Sequence, residues 1–398
     1  MPLDFMLSDE HKLVQTSVGQ MLDKYEPRKV EFREMAKNGK GFPEELWQEY
    51  AQAGLTGALI PEEYGGNNMG LLALALGFET VCRRGFSPGL LLTICMDTSC
   101  IVKNGNEEQK QRFLPKIANG SVKFCFAITE PNAGTNALSI ETHARRDGDS
   151  YFINGQKTFI SGADVADYML LVARTTTIDE LKERGQPKAY GMSLFIVDTK
   201  SKGIEKTPIS IPLSDELNQY QLFFDDLEVP ADNLLGTENE GAIAMFNSLN
   251  PERILAAAIC TGMAESALAK AVAYAKERKV FKDTPIGAYQ SIAHPLAEVQ
   301  IDLEAAKLMT QRAAWAYDNG VDPQTVGSYA NMAKFLAAEL AIKAVDHAIE
   351  THGGLGFAEE TGLINQWSGA RLFRTAPVSR EMILNYVSEW NLGLPKSY

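Results

Sequence analysis

Cysteine is scarce in this 398-residue chain. The five cysteines, Cys82, Cys95, Cys100, Cys125 and Cys260, are an odd number scattered through apolar segments without C-x-x-C spacing. That pattern excludes a zinc site and a disulfide framework as organising features and points to a reducing compartment. Long hydrophobic runs are missing too: no stretch approaches the roughly 20 unbroken apolar residues of a membrane span. The opening MPLDFMLSDEHK lacks a basic region followed by an apolar one, so neither secretion nor membrane insertion is expected and the cytoplasm is the expected location. Positive charge is in deficit, with 38 Lys and Arg against 51 Asp and Glu and a net charge of −13. Wholesale binding to nucleic acid or to an anionic membrane needs the opposite balance. The short basic runs, Arg83-Arg84 and KERK at 276–279, read as solvated faces, each with the reach to hold a phosphate. Also absent are G-x-S-x-G, a Walker loop, H-E-x-x-H and a strand-borne G-x-G-x-x-G, which disfavours a Rossmann nicotinamide enzyme.

What is present is enough apolar material, 45% of residues, for two or three cores. From Ser8 to about Asn119 the pattern is helical, interrupted by EEYGGNNMG, which cannot continue a helix. Near Val122 the character changes. FCFAIT, THARRDGDSYFINGQKTFIS, YMLLVAR, MSLFIVD and QLFFDDLEV are short, rich in β-branched and aromatic residues, and separated by Asp-Gly or Asn-Gly turns. After Gly241 long helices return, with Met332, Phe335, Ile342, Val345 and Ile349 marking one face of one of them. The expected fold is α+β: a helical domain over 1–120, a β-barrel-like domain over 121–235 and a four-helix bundle over 236–398.

The segment AITEPNAGTNALS, where a β run opens into a glycine turn carrying Thr129 and Thr135, offers backbone N–H groups and hydroxyls to an anion or heterocycle. T-E-P-N-A-G-T-N resembles the first signature of the acyl-CoA dehydrogenase family. PEEYGG (61–66), NGNEEQKQRFLP (104–115), INGQKTFISGA (153–163), VPADNLLG (229–236), ERKVF (277–281) and HGGLGF (352–357) follow in that family's order.

The resemblance implies the same three-part fold, FAD as cofactor, an acyl-CoA thioester as substrate, a homotetramer and an electron-transfer flavoprotein as partner. It places Thr129 near the isoalloxazine ring, Thr135 near the pyrophosphate, and Phe159 and Ser161 beside the flavin. Phe159 stands where many relatives carry tryptophan, and an aromatic there shields the ring. Arg278, Phe281, Gln290, Glu350, Gly353 and Gly354 resemble positions that reach a neighbouring subunit's FAD. The helix around 90–102 resembles the one lining the acyl pocket. Taken without the family, Arg278 is a charge favoured at a helix C-terminus and the glycines are a helix stop.

Three departures from the family pattern stand out. Asn136 replaces an aspartate. Asn365 and Ser368-Gly369 weaken the second signature. Pro377 stands where many relatives carry the catalytic glutamate. A minority of the family places that glutamate on the first bundle helix, directly before an arginine, and LNPER fits, with Glu252 as base and Arg253 supporting the substrate site. Read alone, Asn250 is a good N-cap, Pro251 a good first helical residue and Glu252 an ordinary first-turn acid. Glu381 is the next carboxylate to consider. Pro377 has no N–H to polarise the thioester; a one-residue shift would offer Ala376 instead, or the FAD ribityl hydroxyl would act with another donor. The implied reaction is α-proton removal with transfer of the β hydrogen to the flavin, giving a trans-2-enoyl-CoA. A flavin oxidase or monooxygenase, or a catalytically silent flavoprotein on the same fold, is the alternative.

Overall fold

The computed structural model describes residues 7–37, 42–211 and 217–397; residues 1–6 of the opening segment lie outside the described residues. Among the described residues the first part holds six α-helices: α1 (Asp9–Asp23), α2 (Lys29–Lys37), α3 (Glu44–Gln52), α4 (Leu71–Arg83), α5 (Gly89–Asn104) and α6 (Glu107–Ala118). Ser8 caps α1 by accepting from the His11 N–H, and Asn106 with Gln109 forms a reciprocal capping box on α6. EEYGGNNMG is indeed a break, with Gly65 and Gly70 both at positive φ. After it α4 has no side-chain cap of its own. The Asp318 carboxylate, at the end of a helix far along the chain, accepts from the Leu71 and Leu72 N–H groups at 2.7 and 2.8 Å. That long-range cap satisfies two orphan donors and ties the first part to the last.

The central part holds β1 (Phe124–Ala127), β2 (His143–Asp147), β3 (Ser150–Ser161), β4 (Tyr168–Arg174), α7 (Ile178–Glu183), β5 (Met192–Asp198), β6 (Ile204–Ile209), β7 (Gln219–Pro230) and β8 (Leu234–Leu235). Strand order is β6-β7-β3-β2-β4-β5-β8, with β1 parallel to β4. The end strands β6 and β8 do not pair with each other among the described residues. Asp147-Gly148 makes the β2–β3 turn, as expected. Asn154-Gly155 does not turn the chain: it is a bulge inside β3, where the register against β7 shifts. Gly155 has φ 145°, and a Cβ there would lie 2.7 Å from the Thr142 Oγ1. Alternating inward side chains, among them Tyr151, Ile153, Phe195 and Leu222, fill a core of their own.

The last part contains α8 (Gly241–Glu277), a short hairpin of β9 (Lys279–Val280) and β10 (Thr284–Pro285), then α9 (Gln290–Asp318), α10 (Pro323–His352), α11 (Leu363–Leu372) and α12 (Arg380–Tyr386). Helix α8 begins ten residues before Pro251, which corrects the reading of Asn250 as its N-cap. The preceding GAIAMFNSLN already buries Ala242, Ala244, Met245 and Ser248, and that packing carries the helix through the proline despite one missing hydrogen bond. Helix α8 is long and apolar enough to cross a membrane, but 78% of its most apolar window is buried within the fold. On α10 the fully buried stripe is alanine-rich, with Ala330, Ala333, Ala337, Ala341 and Ala344, while Met332, Phe335 and Ile342 are only half-buried.

Small residues also let α8 approach α4 closely. A Cβ on Gly262 would fall 2.3 Å from the Glu79 carbonyl oxygen and 2.8 Å from the Cys82 Cβ. Backbone cannot retreat cheaply there, so Gly262→Ala is expected to cost about 1–3 kcal/mol, read as a lower urea midpoint at unchanged slope.

Candidate active site

A cavity of about 290 Å³ lies where α4, α5, α8, α11 and the loop after α11 meet the β domain. Leu92, Thr93 and Met96 of α5 and Ile259 and Met263 of α8 supply apolar wall, while Ser161 and Gln219 face it from the sheet. Lys29 and Lys270 also line it. Glu252 is the one carboxylate among the described lining residues.

Three turns into α8, Glu252 is far from the helix N-terminus, so the dipole does not acidify it. Burial pushes its carboxyl up to about 7, against the opposing pull of Arg253 and then Lys334. The side chain is half-buried by surface area; it keeps a face on the cavity while packed helices remove most of its hydration. Arg253 donates to the Asn250 Oδ1 at 3.3 Å and does not line the cavity. Ala376 and Pro377 form part of the wall. The Ala376 N–H already donates to the Leu372 carbonyl at 2.9 Å, which overturns the reading that Ala376 substitutes for the amide Pro377 lacks. Glu381 is exposed, its nearest cation being Arg380 at 3.9 Å.

Two buried ionisable groups near Glu252 escaped the reading of the sequence. Asp97 on α5 is fully buried, and neither carboxyl oxygen has a hydrogen-bond partner among the described residues. Burial, reinforced by Glu252, pushes its carboxyl far above the ordinary range. Lys334 on α10 is 1% exposed. Each left a signal: Asp97 is a lone acid in the run LLLTICMDTSCIV, and Lys334 interrupts an alanine stripe.

The TEPNAGTN segment is built around another buried charge pair. Glu130, 7% exposed, accepts from the Glu141 and Thr142 N–H groups and from the Lys157 ammonium at 2.8 Å. Lys157 also donates to the Ile128 carbonyl, and Arg174 donates to four backbone carbonyls, Ile140, Tyr190, Leu138 and Lys188. Burial pulls Lys157 down to about 8, whereas Lys157 and the two N–H donors hold Glu130 below the usual carboxylate range against the cost of burying it. On this base the Thr158 N–H donates to the Thr129 carbonyl at 2.8 Å, setting Thr129 beside Phe159. Phe159 is 58% exposed and held at φ 56°, a conformation rare for an aromatic residue. Ser161, two residues on, hydrogen-bonds Gln219 at the cavity wall. An exposed ring, neighbouring hydroxyls and half-buried amides fit a planar, polar-edged heterocycle. Thr135 is exposed on the turn itself.

The other candidate residues gather at the far end of the bundle. Tyr274 of α8, one turn before Arg278, stacks at 4.4 Å on His352 of α10, which directly precedes Gly353 and Gly354 in sequence; Phe281 at the β9–β10 tip packs edge-on with Tyr289, next to Gln290. All six are exposed, Phe281 by 81%, and none lines the cavity of its own chain. Among the described residues no cluster of three metal-ligating side chains occurs.

Three domain families match the chain in order: the acyl-CoA dehydrogenase N-terminal domain over residues 8–121, the middle domain over 125–227 and the C-terminal domain over 239–391. The chain belongs to the acyl-CoA dehydrogenase family. It is 46% identical over 356 residues to acyl-CoA dehydrogenase FadE12 of Mycobacterium tuberculosis, covering 89% of each chain. Butyryl-CoA dehydrogenase of Megasphaera elsdenii superposes with a TM-score of 0.88 at 28% identity, covering 98% of this chain and 100% of that one. A chain from a structure of the electron transferring flavoprotein of Acidaminococcus fermentans gives 0.89 at 29% identity, with the same coverage. Membership implies a flavin cofactor.

The Glu130–Lys157 pair yields a direct test. Lys157→Met leaves a buried carboxylate without its cation, so a loss of about 3 kcal/mol is expected by urea denaturation at pH 7. Because the native Glu130 carboxyl is held below its ordinary value, its contribution is complete at neutral pH, begins to fade once acid reaches the ordinary glutamate range and is lost as the folded carboxylate protonates below it. The wild-type to variant gap should therefore narrow in acid.

Proposed function

We propose that the chain is an FAD-dependent acyl-CoA dehydrogenase in which Glu252 removes the α proton of an acyl-CoA thioester bound in the cavity, giving a trans-2-enoyl-CoA. The observation that carries this reading is Glu252 itself: the one carboxylate among the described cavity-lining residues, with its ionisation raised to about 7 by burial. A general base works best when its pKa lies near the operating pH. The apolar side chains of α5 and α8 hold the acyl chain and exclude water, which strengthens every charge inside.

FAD, when bound, supplies the acceptor for the hydrogen leaving the β carbon. Thr129, Phe159 and Ser161 are the residues of this chain placed to hold its ring, and Thr135 its phosphates. Arg253 supports the Glu252 charge from the same helix turn. With the Ala376 N–H committed to the Leu372 carbonyl and Pro377 lacking one, these two positions contribute shape and not a hydrogen bond.

Arg278, Phe281, Gln290, Glu350, Gly353 and Gly354 serve the FAD of a second copy. Their exposure and their absence from the cavity of their own chain support that assignment, and glycines there let backbone approach a pyrophosphate. The assembly is then a homotetramer, and an electron-transfer flavoprotein takes the electrons. The partner assignment is supported by the likeness to the Acidaminococcus fermentans chain and by the family.

Two experiments test this reading. Glu252→Gln should abolish anaerobic flavin bleaching by a panel of straight, branched, cyclic and aromatic acyl-CoAs while FAD stays bound; bleaching at the wild-type rate would place the base elsewhere. In the wild type the bleaching rate should rise with pH through about 7, because only the deprotonated carboxylate accepts the proton. Light scattering of the yellow protein should give a tetramer with one FAD per subunit, and Arg278→Ala should lower FAD retention; a monomeric holoprotein would contradict the shared site.

A further inference from the structure

Helix α8 carries a charged group at each end of a single stripe. Glu252, Ile259, Met263 and Lys270 all line the cavity, the last three standing 7, 11 and 18 residues beyond the first. In a helix of 3.6 residues per turn these four positions stay within about 20° of one line. At about 1.5 Å of rise per residue, Met263 lies roughly 16 Å from Glu252 along the axis and Lys270 roughly 27 Å. The cavity is therefore a channel that follows α8, not a chamber closed around the base.

Packing across the channel fixes what lies at its far end. The Gln366 side-chain amide donates to the Met263 carbonyl at 2.9 Å, and Lys270 donates to the Thr361 carbonyl at 2.8 Å, so α11 runs antiparallel beside this half of α8. On α4, Cys82 faces Gly262, and Arg83 pairs with Glu265 at 3.5 Å. Gly85 and Phe86, next along the chain, thus belong to the far half. Lys29 lies over the Phe86 ring at 5.4 Å and pairs with Glu26 at 2.5 Å. Lys270 is exposed, so this end opens to water at two ammonium groups. The wall leading to it is mostly apolar, with Leu92, Met96, Ile259, Met263, Leu372 and Phe373. Thr93 and Gln366 also line it but donate to the Leu90 and Met263 carbonyls. Such a wall suits methylenes. It does not suit the pantetheine arm of coenzyme A, whose two amides and hydroxyl would be poorly partnered there.

We propose that the channel holds the hydrocarbon of a long-chain acyl-CoA, about twelve to twenty carbons, with its thioester at Glu252 and its tail running along α8 toward Lys29 and Lys270. The proposal rests on Glu252 marking the reacting end. An extended chain advances about 1.2 Å per bond, so the tail passes Met263 after roughly 13 carbons and reaches the level of Lys270 after roughly 22. Gly369 on α11 stands at the midpoint, and it is one of the positions at which the second signature weakens. It lines the cavity, and a Cβ there would meet only the Met263 Cε, at 3.4 Å. A side chain added at 369 therefore grows into the channel and closes it near Met263. Replacing a glycine within a helix also favours the helix, so such variants are expected to fold.

The test is calorimetric binding of straight-chain acyl-CoAs, from butyryl-CoA to eicosanoyl-CoA, to flavin-loaded Glu252→Gln protein, with and without a substitution at 369. Kd should keep falling as the chain lengthens, by about two- to fourfold per methylene, until it passes twelve carbons. Gly369→Leu should weaken hexadecanoyl-CoA at least tenfold relative to butyryl-CoA, and Gly369→Ala should fall between and decides the matter if the Leu variant does not fold. An affinity that peaks below twelve carbons overturns the proposal. So does a hexadecanoyl-to-butyryl ratio that the folded 369 variants leave unmoved, the result expected if the coenzyme arm fills the channel and both ligands weaken together. Binding is read without turnover. A Glu252→Gln enzyme that still bleaches its flavin would defeat the base assignment instead, while the affinity series still reads the channel.

Discussion

Close contact around α8 is the constraint on which the rest depends. The helix packs on α9 and α10 within the bundle and on α4 and α5 of the first part. It does so through small side chains, with Ala256, Ala257, Ala258, Cys260, Ala264 and Gly262 bringing neighbouring backbones near. Interiors packed this densely transmit displacement instead of absorbing it. Glu252 rides on the same helix, so the position of its carboxyl is fixed by the packing that holds two parts of the chain together. The Asp318 cap on α4 works toward the same end, because it sets α4 relative to the bundle through two hydrogen bonds.

Inside that frame the chain keeps several charges away from water, and each is handled differently. Glu130 and Lys157 neutralise each other and use their remaining capacity on backbone, which makes the TEPNAGTN turn rigid. Glu79, Lys307 and Glu265 form a similar group between α4, α9 and α8, with Lys307 at 3.2 and 2.6 Å from the two acids. Glu252 is left incompletely compensated. The first two groups are saturated with partners, whereas burial raises the carboxyl of Glu252, the proposed base, to about 7.

Much of the fold was legible in the residues because periodicity and turn chemistry are local. Every strand singled out by its β-branched and aromatic content is present, and the long helices after Gly241 follow from their apolar repeats. The elements missed have weak local signals. Strand β6 carries IEKTPI, with Lys, Glu and Pro on an exposed edge, the residues that blunt sheet edges. Strand β8 is two residues long, and α7 is a single capped turn and a half. The start of α8 was misplaced because Asn250-Pro251 imitates a helix N-terminus, while the packing that carries the helix through the proline is tertiary. The candidate site divides the same way. Glu252 was found through its motif. Asp97 and Lys334 needed the spatial meeting of α5, α8 and α10, and the commitment of the Ala376 amide appears only once the loop after α11 is folded.

The carboxylate and part of the cavity wall come from different kinds of local structure: a helix interior for Glu252, an irregular loop for Ala376 and Pro377. In a chain that carries its base in that loop, any change of loop shape also displaces the reacting group, so substrate range and chemistry are inherited together. Here they are separable. With Glu252 as the proposed base, replacements in the loop can resize the cavity while that carboxylate stays anchored within helix α8.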